Sequence, residues 1–194
     1  MKKSLLRMLL SICTAIFVLP VQSASLLSAL TDGQHILMIR HADAPGYSDP
    51  PGFKLGDCST QRNLGERGRN QAQALGVWLK KQGIASAVVL SSAWCRCEET
   101  ANLLALGAVS TVPELGSFFQ SMSDSGPQTS ALKALLAKRL KAATPGKPMI
   151  LVTHQVNISA FTGTSVGQGE LLLVKIGANG EFVSARSIAT PHSD

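Results

Sequence analysis

Four residues suited to handling an anion, Arg40, His41, Arg96 and His154, lie in three separate stretches of the chain, each at or just beyond the end of a short apolar run. Arg40-His41 closes His35-Ile36-Leu37-Met38-Ile39. Ser91-Ser92 closes Val88-Val89-Leu90 and leads to Arg96, and Thr153-His154 closes Met149-Ile150-Leu151-Val152. Guanidinium forks bind phosphate oxygens in bidentate fashion, and a neutral imidazole has a lone pair with which to attack phosphorus. Either histidine alone is ordinarily a structural residue at a strand end. Both together with two arginines point to phosphoryl transfer.

For these segments to meet, the elements before them must be strands of one sheet. From residue 35 the chain alternates short apolar runs with helical patterns, the pattern of an α/β domain. Helical spacing covers Leu64 to Gln82, with Leu64, Ala72, Leu75, Trp78 and Leu79 on one face and Gly83 as the stop, then Cys95 to Leu106, Thr129 to Ala143, and a short segment through Ala160. Ser110-Thr111-Val112 reads as a short strand. Leu171 to Ile176 and Phe182 to Ile188, joined through Ala178-Asn179-Gly180, read as a terminal hairpin. In open α/β sheets ligands bind beyond the carboxyl ends of the strands, where these polar residues fall. The Gly/Pro-rich stretch from Ala44 to Arg62 is longer than a simple connector, and loops of that length commonly cover sites.

Four ordered segments resemble the histidine phosphatase superfamily, whose members include the phosphoglycerate mutases. Leu37-Met38-Ile39-Arg40-His41-Ala42 resembles its strand and Arg-His-Gly/Ala motif. The stretch from Asn63 to Ala72 resembles its Leu-Thr-x-x-Gly-x-x-Gln-Ala helix, Ser91 to Ala101 its Ser-Ser-x-x-x-Arg-x-x-x-Thr-Ala segment, and Val152-Thr153-His154 its Thr-His motif. Order and spacing agree from residue 35 to about 176. The resemblance implies a single three-layer α/β/α sandwich with a mixed, mainly parallel sheet over residues 24–194. It also implies a metal-independent phosphatase of the histidine acid type, without cofactor, that hydrolyses phosphate monoesters. In such an enzyme His41 becomes phosphorylated, and Arg40, Arg96 and His154 line the phosphate pocket.

Larger members of that family carry a glutamate that protonates the leaving group. Glu114 falls in the corresponding region, with Asp43 and Glu170 as rivals. Each is also readable as a surface or capping carboxylate. Arg62 and a backbone contact at Gln155 are further substrate-binding candidates, and Trp94, Phe118 and Phe119 are candidates for the substrate-side wall. His35 and His192 read as structural or solvated.

Met1-Lys2-Lys3 and Arg7 precede an apolar run from Leu9 to Leu19, too short for the about 20 apolar residues of a membrane span. With small residues around Ser23 to follow, residues 1–23 read as a signal peptide, and the rest as a periplasmic or secreted chain without a stable membrane span. The formal net charge is +6, but setting aside Lys2, Lys3 and Arg7 leaves 15 basic against 12 acidic residues. That balance, with no basic run interleaved with aromatics, gives no case for a nucleic-acid partner, and none is expected. The expected partner is a phosphorylated small molecule or, by the resemblance to exported members, an envelope phospho-glycan. Cys58 is expected to form a disulfide with Cys95 or Cys97, since cysteines two apart rarely reach bonding geometry themselves. No CxxC or paired histidine accompanies them to hold zinc. Rival readings are a phosphoglycerate mutase-like phosphotransferase, a phosphohistidine-protein phosphatase, and a catalytically weak module that binds phosphorylated ligands.

Overall fold

The computed structural model describes residues 25–142 and 146–190. The leader, Cys13 and His192 lie outside them. A five-residue helix, α1 (Leu26–Leu30), precedes β1 (His35–Arg40); α2 (Glu66–Lys81), β2 (Val88–Ser91), α3 (Cys95–Leu103) and β3 (Val109–Thr111) follow. The chain continues with α4 (Ser125–Lys141), β4 (Met149–Thr153), α5 (Gln155–Thr162) and the hairpin β5 (Leu171–Ile176) and β6 (Phe182–Ile188).

The strands form one six-stranded sheet in the order β3-β2-β4-β1-β5-β6. The first four are mutually parallel, while β5 runs antiparallel to β1 and β6 to β5, giving the mixed, mainly parallel sheet expected. Strands buried on both faces read as continuous apolar runs, and successive side chains go to opposite layers. Leu37, Ile39, Val89, Ile150 and Val152 therefore pack with Leu75 and Leu79 of α2, Ala101 of α3 and Leu104 just past its end. Ile36, Met38, Leu90 and Leu151 pack with Leu132, Leu136, Ile158 and Phe161 of α4 and α5. The two apolar clusters are the two interfaces of an α/β/α sandwich.

Element ends differ from the sequence pattern for local reasons. Leu64 is buried with Ala42 and Ala72, so it shares the helix's apolar face, but Gly65 at φ −79° and ψ 176° is an extended cap and α2 starts at Glu66. The third helix starts at Ser125 rather than Thr129. Pro127 in its first turn lacks an N–H that would go unpaired there anyway. The second ends at Leu103, since Ala105 takes a left-handed φ of 50°.

Candidate active site

Register decides which strand ends meet. Arg40 pairs with Thr153, so His41 and His154 leave neighbouring parallel strands side by side, with ring centroids 5.6 Å apart. β2 flanks β4 on its other side and delivers Ser91-Ser92. A cavity of about 810 Å³ opens there, and Arg40, His41, Arg62, Arg96, His154 and Gln155 all line it.

His41 is 2% exposed, and its Nδ1 lies 2.8 Å from the carbonyl of Ala42. A carbonyl only accepts, so Nδ1 carries the proton and Nε2 keeps its lone pair. Burial, reinforced by the positive charges of Arg96, Arg62 and Arg40, pushes the ring's pKa down to about 3 against the weaker pull of the Ala42 carbonyl, so the imidazole is neutral across the physiological range. Burial and the same arginines hold His154 well below the ordinary histidine value. Its Nε2 lies 2.8 Å from Ser92 Oγ, and the buried Cys97 Sγ is 3.5 Å from the same nitrogen. Burial raises that thiol to about 12, so it remains a thiol.

The motif residues that touch no cavity hold the loop after β1 in place. Thr100 Oγ1 accepts from Ala42 N–H at 3.0 Å and donates to the Arg96 carbonyl at 2.6 Å. Gln71 accepts from Asp43 N–H and donates to the Gln168 carbonyl, both at 2.9 Å. At Gly68, α2 lies so close to the Asp43 backbone that any Cβ would collide with its carbonyl oxygen.

The three arginines share an arrangement. Arg40 spends Nη1 on Gln155 Oε1 and the Val166 carbonyl, and Arg62 spends Nη1 on the carbonyls of Ala44 and Gly46. Arg96 puts Nη1 and Nη2 on the two oxygens of Asp49, at 2.8 and 3.1 Å. In all three the Nε–H is buried without a partner. Three fixed guanidiniums lining one cavity beside a neutral imidazole call for an anion with several acceptor oxygens.

None of the three carboxylates expected as acids lines that cavity. Glu114 lies in a 3₁₀ turn over Pro113–Leu115, Glu170 accepts from Gly167 N–H, and Asp43 is held through its backbone. The carboxylate that does line it is Asp49, in the loop between Ala44 and Arg62, which the sequence does not single out. Besides Arg96 it accepts from Arg62 N–H at 2.9 Å and Trp94 Nε1 at 3.1 Å. Burial pushes its carboxyl up, but the Arg96 bonds and the Arg62 N–H outweigh that and hold it below the ordinary aspartate value. Asp49 is thus an anion. A disulfide from Cys58 to Cys95 ties the same loop to the start of α3, resolving the expected pairing, and Cys97 stays free.

Residues 36–116 match the model of the histidine phosphatase superfamily (branch 1). No curated protein matches the chain. Among solved structures, the protein histidine phosphatase SixA complexed with tungstate is 19% identical, with a TM-score of 0.52 over 79% of this chain and 96% of that one. The Entamoeba histolytica phosphoserine phosphatase in complex with 3-phosphoglyceric acid is 14% identical, with a TM-score of 0.59 over 81% and 98%. A mycobacterial glucosyl-3-phosphoglycerate phosphatase is 16% identical, with a TM-score of 0.54 over 83% and 100%. The histidine phosphatase-like sandwich spans nearly the whole of each.

Proposed function

We propose that this chain is an exported histidine phosphatase that hydrolyses phosphate monoesters through a phosphohistidine on Nε2 of His41. The observation that carries the reading is the three guanidiniums of Arg40, Arg62 and Arg96 lining one cavity with an imidazole whose proton is pinned on Nδ1. The Nε2 lone pair forms the N–P bond as the ester P–O bond breaks. The guanidiniums meet charge on the equatorial oxygens, and they are already fixed before the reaction. His154, neutral and lining the same cavity, supplies a further polar contact. Water then attacks phosphorus and releases inorganic phosphate.

Asp49, as an anion bound to Arg96, is no proton donor, so the departing oxygen takes its proton from solvent. Export places the natural substrate outside the cytoplasm, which favours an envelope phospho-glycan or another phosphorylated small molecule over a glycolytic intermediate. The site needs no metal on this reading, because positive charge comes from the arginines.

The test is a quenched reaction with an aryl phosphate. Wild type should carry one acid-labile, base-stable phosphate on His41. His41→Ala should stay folded, carry none, and lose all but a few per cent of turnover. A His41→Ala variant with wild-type rates would remove His41 as the nucleophile. Phosphate bound by wild type without turnover would leave only the binding-module reading.

A further inference from the structure

The charge in the cavity belongs to few of its residues. Among its described lining residues the only ionised side chains are the three arginines and Asp49, which leaves two positive charges uncompensated, the match for a dianionic phosphate monoester. The remainder of the wall is uncharged. It consists of aromatic and apolar side chains, Tyr47, Phe53, Trp94, Phe119 and Met122 among them, with serine hydroxyls and glutamine amides between.

These side chains are arranged, not scattered. Trp94 stands edge-on to His154 at 5.2 Å between centroids, and Phe53 continues the row 5.9 Å beyond it. Tyr47 and Phe119 meet edge to face at 5.3 Å, one from the loop after β1 and the other from the segment before α4. Of the six large apolar side chains exposed among the described residues, three line this one cavity: Tyr47 at 82%, Met122 at 61% and Phe119 at 40% exposed. Apolar exposure gathered at the mouth of a charged pocket marks a ligand surface.

Resting on the phosphatase reading, the geometry points to a leaving group that is an uncharged ring with a flat apolar face, aryl or glycosyl. The ring would rest against these aromatic side chains, Tyr47, Phe119, Phe53 and Trp94, which line the cavity. A second anionic group resting on those side chains would shed its water with no lining cation left over from the phosphate and Asp49 to pair it, which is unfavourable however well the phosphate is held.

Two matched pairs test this with the purified protein: 4-carbamoylphenyl against 4-carboxyphenyl phosphate, and glucose 1-phosphate against glucuronic acid 1-phosphate. The neutral member should lead in kcat/KM by about tenfold or more, as unpaired charge at a desolvated site demands, and the pair with the larger preference identifies the ring. Phe119→Ala and Tyr47→Ala should each raise KM for 2-naphthyl phosphate severalfold while phenyl phosphate changes less. Equal or faster turnover of the carboxylate members in both pairs would overturn the substrate class and leave the phosphatase standing. Absence of turnover with all four would overturn both.

Discussion

Asp49→Asn is the sharpest perturbation of the site, because the carboxylate meets only donors. Its Oδ1 takes Arg62 N–H and Arg96 Nη1, and its Oδ2 takes Trp94 Nε1 and Arg96 Nη2. Whichever way an asparagine amide turns, its NH₂ faces two of those donors. Two bonds are lost and a buried guanidinium loses its counter-charge. Breaking a buried pair from one side costs about 3–5 kcal/mol, and at about 2–4 °C per kcal/mol for a domain of this size Tm should fall by roughly 6–20 °C. The carboxyl is depressed in the folded chain, so on acidification the unfolded chain binds the proton first. The stabilisation is full above the ordinary aspartate pKa of about 3.9 and disappears as pH falls through the lower native value. The wild-type advantage should therefore be present at pH 7 and shrink only in strong acid. Loss of orientation at Arg96 should also lower kcat/KM by about a hundredfold, the scale of one misplaced transition-state donor. Thermal unfolding followed by circular dichroism and aryl phosphate kinetics on the same samples read both effects. A Tm within about 2 °C of wild type, with kcat/KM within about threefold, would refute the clamp.

Arg96→Lys retains the charge but loses the planar fork on Asp49 that orients it, and kcat/KM should fall by about a hundredfold; near wild-type rates would place Arg96 outside the transition state. In kcat/KM corrected for substrate ionisation, no acid limb should appear near the ordinary histidine value of about 6.5, since burial pushes His41 down to about 3 and only its neutral form attacks; a wild-type acid limb near 6.5 would contradict this. Excess EDTA should leave hydrolysis unchanged, whereas vanadate, which takes the five-coordinate shape of the transferring group, should inhibit more tightly than phosphate. Activity destroyed by EDTA and restored by zinc or magnesium would replace the histidine mechanism with a metal one.

Much of the sheet and the paired ends of β1 and β4 are legible because strands buried on both sides leave an unbroken apolar run and a polar stop. Ile36 to Ile39 before Arg40, and Met149 to Val152 before Thr153, carry the information within four or five residues. The strand order is not legible in the same way, since nothing in β4 states that it inserts between β2 and β1; crossover packing on the two faces decides that. Helix α1 is too short for periodicity to register. Asp49 escapes for a different reason. It sits in Pro/Gly-rich sequence with no period, and its partners are 13, 45 and 47 positions away. The only signal for it was indirect: three arginines converging on one buried cavity need a counter-charge.

That counter-charge has a second consequence, which follows from the composition of its loop. Between Ala44 and Arg62 the chain offers few buried apolar side chains, so packing alone cannot hold it over the cavity. What holds it is polar and covalent. Arg62 Nη1 gathers the Ala44 and Gly46 carbonyls, Gln61 Oε1 accepts from Cys95 N–H at 3.0 Å, Asp49 takes Arg96, and Cys58 is bonded to Cys95. Three of these attachments end on Cys95 or Arg96, neighbours in the first turn of α3. The loop that bears Tyr47 and Phe53 is thus fastened to the same turn that carries Arg96, whose guanidinium lines the cavity. A change that loosens the loop therefore acts on the Asp49–Arg96 pair as well, through one helical turn.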